Sequence, residues 1–111
     1  MLAFELAELE AQSRRHTDLY MEFLKQPAMS AGLYRLAAGA TDPQHPHSED
    51  EVYYVVSGRA QIRIEGEDRP VGPGSLVYVP AHAEHRFHSI DQELVVLVFF
   101  APAEGSRSAA G

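Results

Sequence analysis

The sequence contains no cysteine in its 111 residues. Disulfide bonds, thiolate catalysis and cysteine-based zinc sites are therefore excluded, and any bound metal must be held by nitrogen and oxygen atoms. Long apolar runs are also absent, because the longest one, Leu94 to Ala101, is far short of the ~20 residues that cross a bilayer. No basic start precedes an apolar stretch at the N-terminus, as a signal peptide would require. We therefore expect a soluble, cytoplasmic protein with no membrane partner.

Basic residues are few. Nine Lys and Arg residues stand against 16 Asp and Glu residues, which gives a net charge of −7. Nucleic-acid backbones are bound by clustered Lys and Arg side chains, whereas the basic residues here are scattered along the chain. The composition argues against a nucleic-acid partner.

The hydrophobic pattern predicts a single domain over residues 1–111 that begins with a helix and continues as strands. Good helix formers fill Phe4 to Arg15, which places the helix within residues 1–16. Residues 17–101 form short β-rich runs with turns about every eight to twelve residues, which is typical of an all-β barrel or sandwich. Residues 102–111 are rich in Ala, Ser and Gly and are expected to be a disordered tail. The predicted strands are Asp18 to Lys25, Ser30 to Ala37, Glu51 to Ser57, Arg59 to Glu65, Arg69 to Val71, Leu76 to Val79, Glu84 to Ile90 and Leu94 to Phe100.

Histidine is concentrated in one part of the chain, since five of the six histidines lie between positions 45 and 88. His45 and His47 are two residues apart, so on a strand both imidazoles would point to the same face. Glu51 follows four residues later, and His85 lies on a different predicted strand. Two histidines and a carboxylate at this spacing predict a metal site, and a second histidine cluster, His82, His85 and His88, could supply the remaining ligand.

This region resembles the cupin superfamily residue by residue. The first cupin motif is a glycine, five residues, His-x-His, three residues, Glu, six residues and a glycine, and it is met in full by Gly39, His45, His47, Glu51 and Gly58. The second motif is a glycine, five residues, Pro-x-Gly, two residues, His, three residues and Asn, and it is met by Gly74, Pro80 and His85. Two positions depart from it, because His82 replaces the usual glycine and Ser89 the usual asparagine. The 15 residues between the motifs match the spacing of small single-domain cupins.

The resemblance implies a double-stranded β-helix jelly roll. It also implies one divalent transition metal inside the barrel, bound by His45, His47, Glu51 and His85. Three imidazoles and one carboxylate suit Fe, Mn, Ni, Cu or Zn, and on an octahedral ion they leave two positions for water, substrate or O₂. Open positions are typical of catalytic rather than structural metal sites.

Other side chains compete for roles in this site. Glu49 and Asp50 are alternatives to Glu51, although spacing favours Glu51 and a solvated turn explains the other two. Tyr53 shares a strand face with Glu51, and His82 is expected on the loop at the barrel mouth, so both are candidate catalytic residues, each as a general base. If residues 84–88 were helical, the stripe His82, His85 and His88 would be a separate site; Pro80 and the surrounding β pattern argue against a helix.

The predicted function is that of a metal-dependent enzyme acting on a small organic molecule, with dioxygenase-type oxidative cleavage favoured. An isomerase, decarboxylase or lyase that uses the metal as a Lewis acid is the first alternative. A non-catalytic module that binds a small ligand is the second. The strand predicted from Asp18 to Lys25 has apolar groups on both faces and is expected to pair across a homodimer interface.

Overall fold

The computed structural model describes residues 1–106 of the chain. It contains one α-helix and six β-strands, which confirms the all-β architecture with a short N-terminal helix. In chain order the elements are α1 (Leu6–Arg15), β1 (Tyr20–Gln26), β2 (Met29–Leu36), β3 (Asp50–Ile64), β4 (Glu67–Val71), β5 (Leu76–Val79) and β6 (His85–Ala101). No helix within residues 1–106 combines the length and the apolar character needed to span a membrane.

The strands form one antiparallel sheet in the order β1-β2-β6-β3-β4, with β5 paired to β3. The 15-residue β3 and the 17-residue β6 pair with each other from Asp50↔Ala101 to Ile64↔His85. Their register shifts three times between Val55 and Gln61. Such β-bulges bend a strand pair and increase its twist. The bending curls the sheet into a jelly-roll barrel.

Two of the predicted breaks between strands do not exist. The runs on either side of Gly58 are one continuous strand, β3, and the runs from Glu84 to Phe100 are likewise one strand, β6. Gly58 has a φ of 93°, and a Cβ atom there would collide with the backbone carbonyl of Glu93. Glycine is needed at this position because β3 and β6 approach each other closely at a bulge. In the sequence, a glycine between two β-rich runs is equally typical of a turn, which is why a break was predicted there.

Two apolar clusters lie on opposite faces of the sheet. The larger one fills the barrel and includes Tyr53, Phe87, Leu36, Leu94 and Val96. The smaller one consists of Leu9, Met21, Leu33 and Val95, where α1 packs against the outside of the sheet. Full burial of such side chains contributes about 1.5–3 kcal/mol each, so the short helix is held chiefly by packing.

Arg35 attaches α1 to the sheet. Its guanidinium donates to Ser13 Oγ at 2.7 Å and to Glu93 Oε1 at 2.7 Å. Helix α1 begins at Leu6, two residues later than the predicted start at Phe4. Its C-terminal residue, Arg15, agrees with the prediction.

The expectation of a disordered tail is wrong for residues 102–106. These residues form a turn that packs against the β1–β2 hairpin: Ala103 is buried, and the backbone N–H of Glu104 donates to Ser30 Oγ at 2.8 Å. The turn is held in place by the burial of Ala103. The prediction failed because it was based on composition, and a composition rich in Ala, Ser and Gly does not indicate which single residue is buried. The rest of the predicted tail, residues 107–111, lies outside the described residues.

Candidate metal centre

Three predicted metal ligands meet inside the barrel. Glu51 is the second residue of β3, His85 is the first residue of β6, and His47 lies in the loop before β3. One ligand atom from each of the three lies within 4.8 Å of the other two. Glu51 faces inward because the strand alternates, with Glu51 and Tyr53 buried and Val52 exposed between them.

His45 is not part of this cluster. The sequence placed His45 and His47 on a strand, but residues 41–47 have no regular secondary structure, so the two imidazoles need not share a face. His45 is exposed, whereas His47 is half-buried. The prediction that both imidazoles point to one face of a strand is therefore wrong for this pair.

Asp42 sets the path of the loop that carries His47. Its buried carboxylate accepts hydrogen bonds from the Phe87 backbone N–H at 2.8 Å, from the Tyr34 hydroxyl at 2.6 Å and from the Gln44 backbone N–H at 3.1 Å. These bonds tie the loop to β2 and β6. Asp42 was not predicted as a site residue, and the sequence signal that could have singled it out is its Asp-Pro context, which favours a side chain that bonds nearby backbone.

The residues present fit a bound divalent metal. Both carboxylate oxygens of Glu51 and Nε2 of His85 are buried without a hydrogen-bond partner in the described part of the chain. Glu51 Oε1 and His85 Nε2 are 3.2 Å apart, and each side chain is only 1% exposed. An unpaired buried carboxylate is strongly unfavourable, and a cation between these atoms would compensate both groups.

The tautomer of His85 also suits ligation. Its Nδ1 lies 2.9 Å from the backbone carbonyl of Ala83, and a carbonyl can only accept a hydrogen bond. The ring proton therefore resides on Nδ1, which leaves the lone pair of Nε2 directed toward Glu51 and His47. Metal-binding histidines commonly use such a contact to fix the orientation of the ring.

The two imidazoles differ in their electrostatic surroundings. Burial lowers the pKa of His47, and the neighbouring His85 and His45 act in the same direction against the opposing effect of Glu51. Burial also disfavours the charged form of His85, but contacts with Glu51 and the carbonyl of Ala83 outweigh it and raise its pKa. His47 is thus held neutral, the form that binds metal, whereas His85 competes for a proton when no cation is bound.

Tyr53 lies in the barrel wall beside the cluster. Its hydroxyl donates to Gln44 Oε1 at 2.8 Å, and its ring centroid is 6.1 Å from that of His85. Burial raises the pKa of Tyr53 well above its usual range, with a further contribution from Glu51. A phenol in this state is protonated at neutral pH, so Tyr53 fits the role of a hydrogen-bond donor better than that of a general base.

His82 is exposed on the loop between β5 and β6. It adopts a φ of 67°, the left-handed region for which glycine is the usual residue, and its backbone N–H donates to the carbonyl of His47 at 2.6 Å. Its side chain and His47 share a groove of about 550 Å³ that Glu22, Glu49 and Glu104 also line. His82 thus supports the loop bearing His47 through its backbone.

A small cavity adjoins His47 and Glu51 on the inner side of the barrel. Its volume is about 100 Å³, and Val98 and Phe100 form its apolar wall. The remaining lining residues are Tyr20, Tyr34, Gln44 and Glu104. Neither Tyr20 nor Glu104 was predicted as a site residue, because Tyr20 lies in a predicted strand and Glu104 in the predicted disordered tail.

Comparison with known proteins identifies the family. Residues 32–101 match the Cupin_2 family of cupin domains. The chain belongs to the cupin family. This cupin is also 53% identical, over 104 residues, to an uncharacterized protein of Streptomyces coelicolor; the match covers 94% of the chain and 99% of that protein.

Two further relatives show how far the similarity extends. The cupin is 37% identical over 68 residues to the acireductone dioxygenase of Bacillus thuringiensis, and the match covers 56% of the chain but only 40% of the dioxygenase. The solved structure of TT1209 from Thermus thermophilus superposes with a TM-score of 0.73 at 26% identity, covering 93% of the chain and 99% of TT1209. The second match extends the shared fold over nearly the whole chain.

Proposed function

We propose that this cupin is a metal-dependent enzyme that acts on a small organic molecule by dioxygenase-type oxidative cleavage. One observation carries the proposal: the buried, unpartnered oxygens of Glu51 and Nε2 of His85 converge with His47 inside the barrel. A protein that gained nothing from a cation would be more stable with apolar groups at these positions.

The proposed ligands are His47, Glu51 and His85, with His45 as the fourth. His45 lies outside the cluster of the other three, and its inclusion rests on its place two residues before His47 on the same irregular loop. Three neutral imidazoles and one carboxylate suit a divalent Fe, Mn, Ni, Cu or Zn ion.

Oxidative cleavage is favoured over other metal chemistry by the partial similarity to acireductone dioxygenase. A redox-active divalent metal at this site would supply the means of activating O₂. The chain itself supplies the enclosure: Val98 and Phe100 exclude water from one side, and Tyr53, fixed by Gln44, keeps its proton beside Glu51. In such a reaction the substrate provides four electrons to O₂, and both oxygen atoms appear in the products.

The experiment that tests the proposal starts with metal analysis of three identically prepared proteins, the wild type, His47→Ala and His88→Ala. His88 is a matched control because its Nε2 bonds Asp68 at 2.7 Å on the barrel exterior. We expect near-stoichiometric Fe, Mn, Ni or Cu in the wild type and the control, and loss of the metal from His47→Ala.

The second stage measures O₂ consumption on small diketones and phenols, followed by ¹⁸O₂ labelling of the products. Incorporation of both labelled atoms would support a dioxygenase. Bound zinc with no O₂ uptake would contradict oxidative cleavage and favour Lewis-acid chemistry by an isomerase, decarboxylase or lyase. Absence of metal from the wild type even after reconstitution would contradict the proposal as a whole.

We also propose that the partner of this chain is a second copy. The outer face of β3 and β5 exposes paired apolar residues, Val52 opposite Tyr78 and Tyr54 opposite Leu76. Leu76 and Tyr78 are 70% and 58% exposed, which is unusual for large side chains that adjoin each other on a sheet. Strand β1 is an edge of the sheet, so it too is available for pairing.

A further inference from the structure

The hydroxyl of Tyr20 is buried and has no hydrogen-bond partner among residues 1–106. Tyr20 is the first residue of β1, and its side chain lines the cavity of about 100 Å³ that it shares with His47 and Glu51. A buried hydroxyl without a partner is unfavourable, so its presence beside the candidate metal centre requires an explanation.

The ring of Tyr20 packs against the backbone of Gly32, where the absence of a side chain leaves space for it. A Cβ atom at Gly32, in the neighbouring strand β2, would collide with the ring and hydroxyl of Tyr20. Glycine weakens the interior of a strand, and it is typical of places where another group must approach the backbone closely. The ring is further fixed by edge-to-face contacts with Tyr34 and Phe100, at centroid distances of 6.4 and 6.3 Å.

The two other tyrosines beside the centre show that this arrangement is particular to Tyr20. Tyr34 donates to Asp42 at 2.6 Å, and Tyr53 donates to Gln44 at 2.8 Å. Both hydroxyls are satisfied by the protein itself. For packing and stability alone, phenylalanine would serve as well as tyrosine at position 20.

We propose that the Tyr20 hydroxyl donates a hydrogen bond to an oxygen atom of the ligand held at the metal centre. The inference rests on the proposed function, since it needs a ligand beside His47 and Glu51. Burial raises the pKa of Tyr20, and the nearby Glu104, Glu22 and Glu51 act in the same direction, so the phenol keeps its proton and remains a donor.

The cavity defines the class of ligand. Pockets that enclose drug-sized molecules have volumes of roughly 300–1,000 Å³, so about 100 Å³ admits only a very small molecule or the reacting end of a larger one. Val98 and Phe100 suit a short carbon group, and Tyr20 suits a carbonyl, enolate or carboxylate oxygen. Glu104 and Glu51 would repel a second anionic group in the same space.

The test compares wild-type protein with Tyr20→Phe and with a matched control, Tyr54→Phe, which makes the same change on the outer face of β3. Each protein is loaded with Ni²⁺ and titrated calorimetrically with acetohydroxamate, a compact ligand with two oxygens. Metal affinity and thermal unfolding of the metal-free proteins are measured in parallel. None of these three readouts depends on turnover.

We expect Tyr20→Phe to bind Ni²⁺ as the wild type does, to be at least as stable, and to bind acetohydroxamate about tenfold more weakly. Tyr54→Phe should match the wild type in acetohydroxamate affinity. Equal acetohydroxamate affinity in the wild type and Tyr20→Phe would overturn the proposed role of Tyr20 and leave the proposed function of the protein unaffected. Failure of the wild type to take up metal would overturn the proposed function, and this inference with it.

Discussion

The Nδ1 atom of His47 lies 3.7 Å from Oε2 of Glu104, a residue of the C-terminal turn. Burial raises the pKa of Glu104, and repulsion from Glu22, Glu51 and Glu49 adds to this effect. The 3.7 Å separation is longer than a hydrogen bond, so Glu104 acts on this nitrogen of His47 through its charge and leaves the other nitrogen available as a ligand. The C-terminal turn, which packs against the β1–β2 hairpin, thus places a carboxylate beside the candidate metal centre.

Replacing Glu104 should weaken metal binding without abolishing it. Outer partners of metal-bound histidines typically affect metal affinity by 10–100-fold, so we expect Glu104→Gln to lower affinity by about tenfold. Competitive chelator titration measures the change. Glu67→Gln is the matched control, because it makes the same change at an exposed position of β4, outside the groove that contains His47 and Glu104. Equal affinities for Glu104→Gln and Glu67→Gln would contradict a supporting role for Glu104 at His47.

Replacing Glu51 should stabilise the metal-free protein while removing metal binding. In Glu51→Gln the buried negative charge disappears, and the new amide can donate to His85 Nε2 across the present 3.2 Å separation. We expect the free energy of unfolding without metal to rise by about 1–3 kcal/mol. Denaturant unfolding with and without added metal measures both effects. A Glu51→Gln protein that is less stable and still binds metal would contradict the assignment of Glu51 as a ligand.

Metal occupancy should fall as the pH drops below about 6. The raised pKa of His85 means that its ring protonates first, whereas the lowered pKa of His47 delays protonation there. Because the pKa of His85 is higher in the folded protein than in the unfolded chain, protonation of His85 stabilises the metal-free fold. This stabilisation is complete below the pKa of histidine in the unfolded chain, and it is lost as the pH rises through the pKa of His85 in the folded protein. Acid therefore favours the His85–Glu51 ion pair over the bound metal. Dialysis at pH 5 and pH 7.5 followed by elemental analysis measures the change, and equal metal content at both would argue against imidazole ligation.

Much of the candidate site could be predicted from local sequence. His47, Glu51 and His85 were identified from motif spacing, and strand alternation correctly predicted that Glu51 and Tyr53 face the interior. The orientation of His45 could not be predicted, because its position depends on an irregular loop and not on strand parity. Loop shape is set by long-range bonds, which a local pattern does not contain.

The residues missed by sequence analysis share one physical cause. The contacts of these residues, Tyr20, Asp42 and Glu104, are with residues that lie tens of positions away in the sequence. Examples are the hydrogen bond from the Phe87 N–H to Asp42 and the approach of Glu104 to His47. The Asp-Pro context of Asp42 indicates only a bond to nearby backbone, and no neighbouring residue of Tyr20 or Glu104 indicates its long-range contact. The continuity of β3 through Gly58 has the same origin, since the close approach of Glu93 distinguishes a bulge from a turn.

Asp42 should be among the polar residues most important for stability. Asp42→Ala would leave the buried N–H of Phe87 and the hydroxyl of Tyr34 without their acceptor, and each charge-assisted bond contributes about 1.5–3 kcal/mol. We expect a loss of about 3 kcal/mol or more in the free energy of unfolding, together with weaker metal binding as the loop bearing His47 loosens. Asp91→Ala, at an exposed position of β6, is the control and should change stability by less than about 0.5 kcal/mol. Similar stabilities of the two variants would contradict the structural role of Asp42.

The exposed apolar face of β3 and β5 should be buried in a homodimer. Leu76 and Tyr78 are separated by one residue on β5 and lie opposite Tyr54 and Val52 on β3, so the four side chains form one continuous surface. Association of such a surface is driven by removal of apolar area from water, and a charge at its centre would have to be desolvated without a partner. We therefore expect analytical ultracentrifugation to show a dimer for the wild type and a monomer for Leu76→Glu. Glu84→Gln, an exposed change elsewhere, should remain dimeric. A wild type that sediments as a monomer at high micromolar concentration would contradict the homodimer and leave this face to another partner.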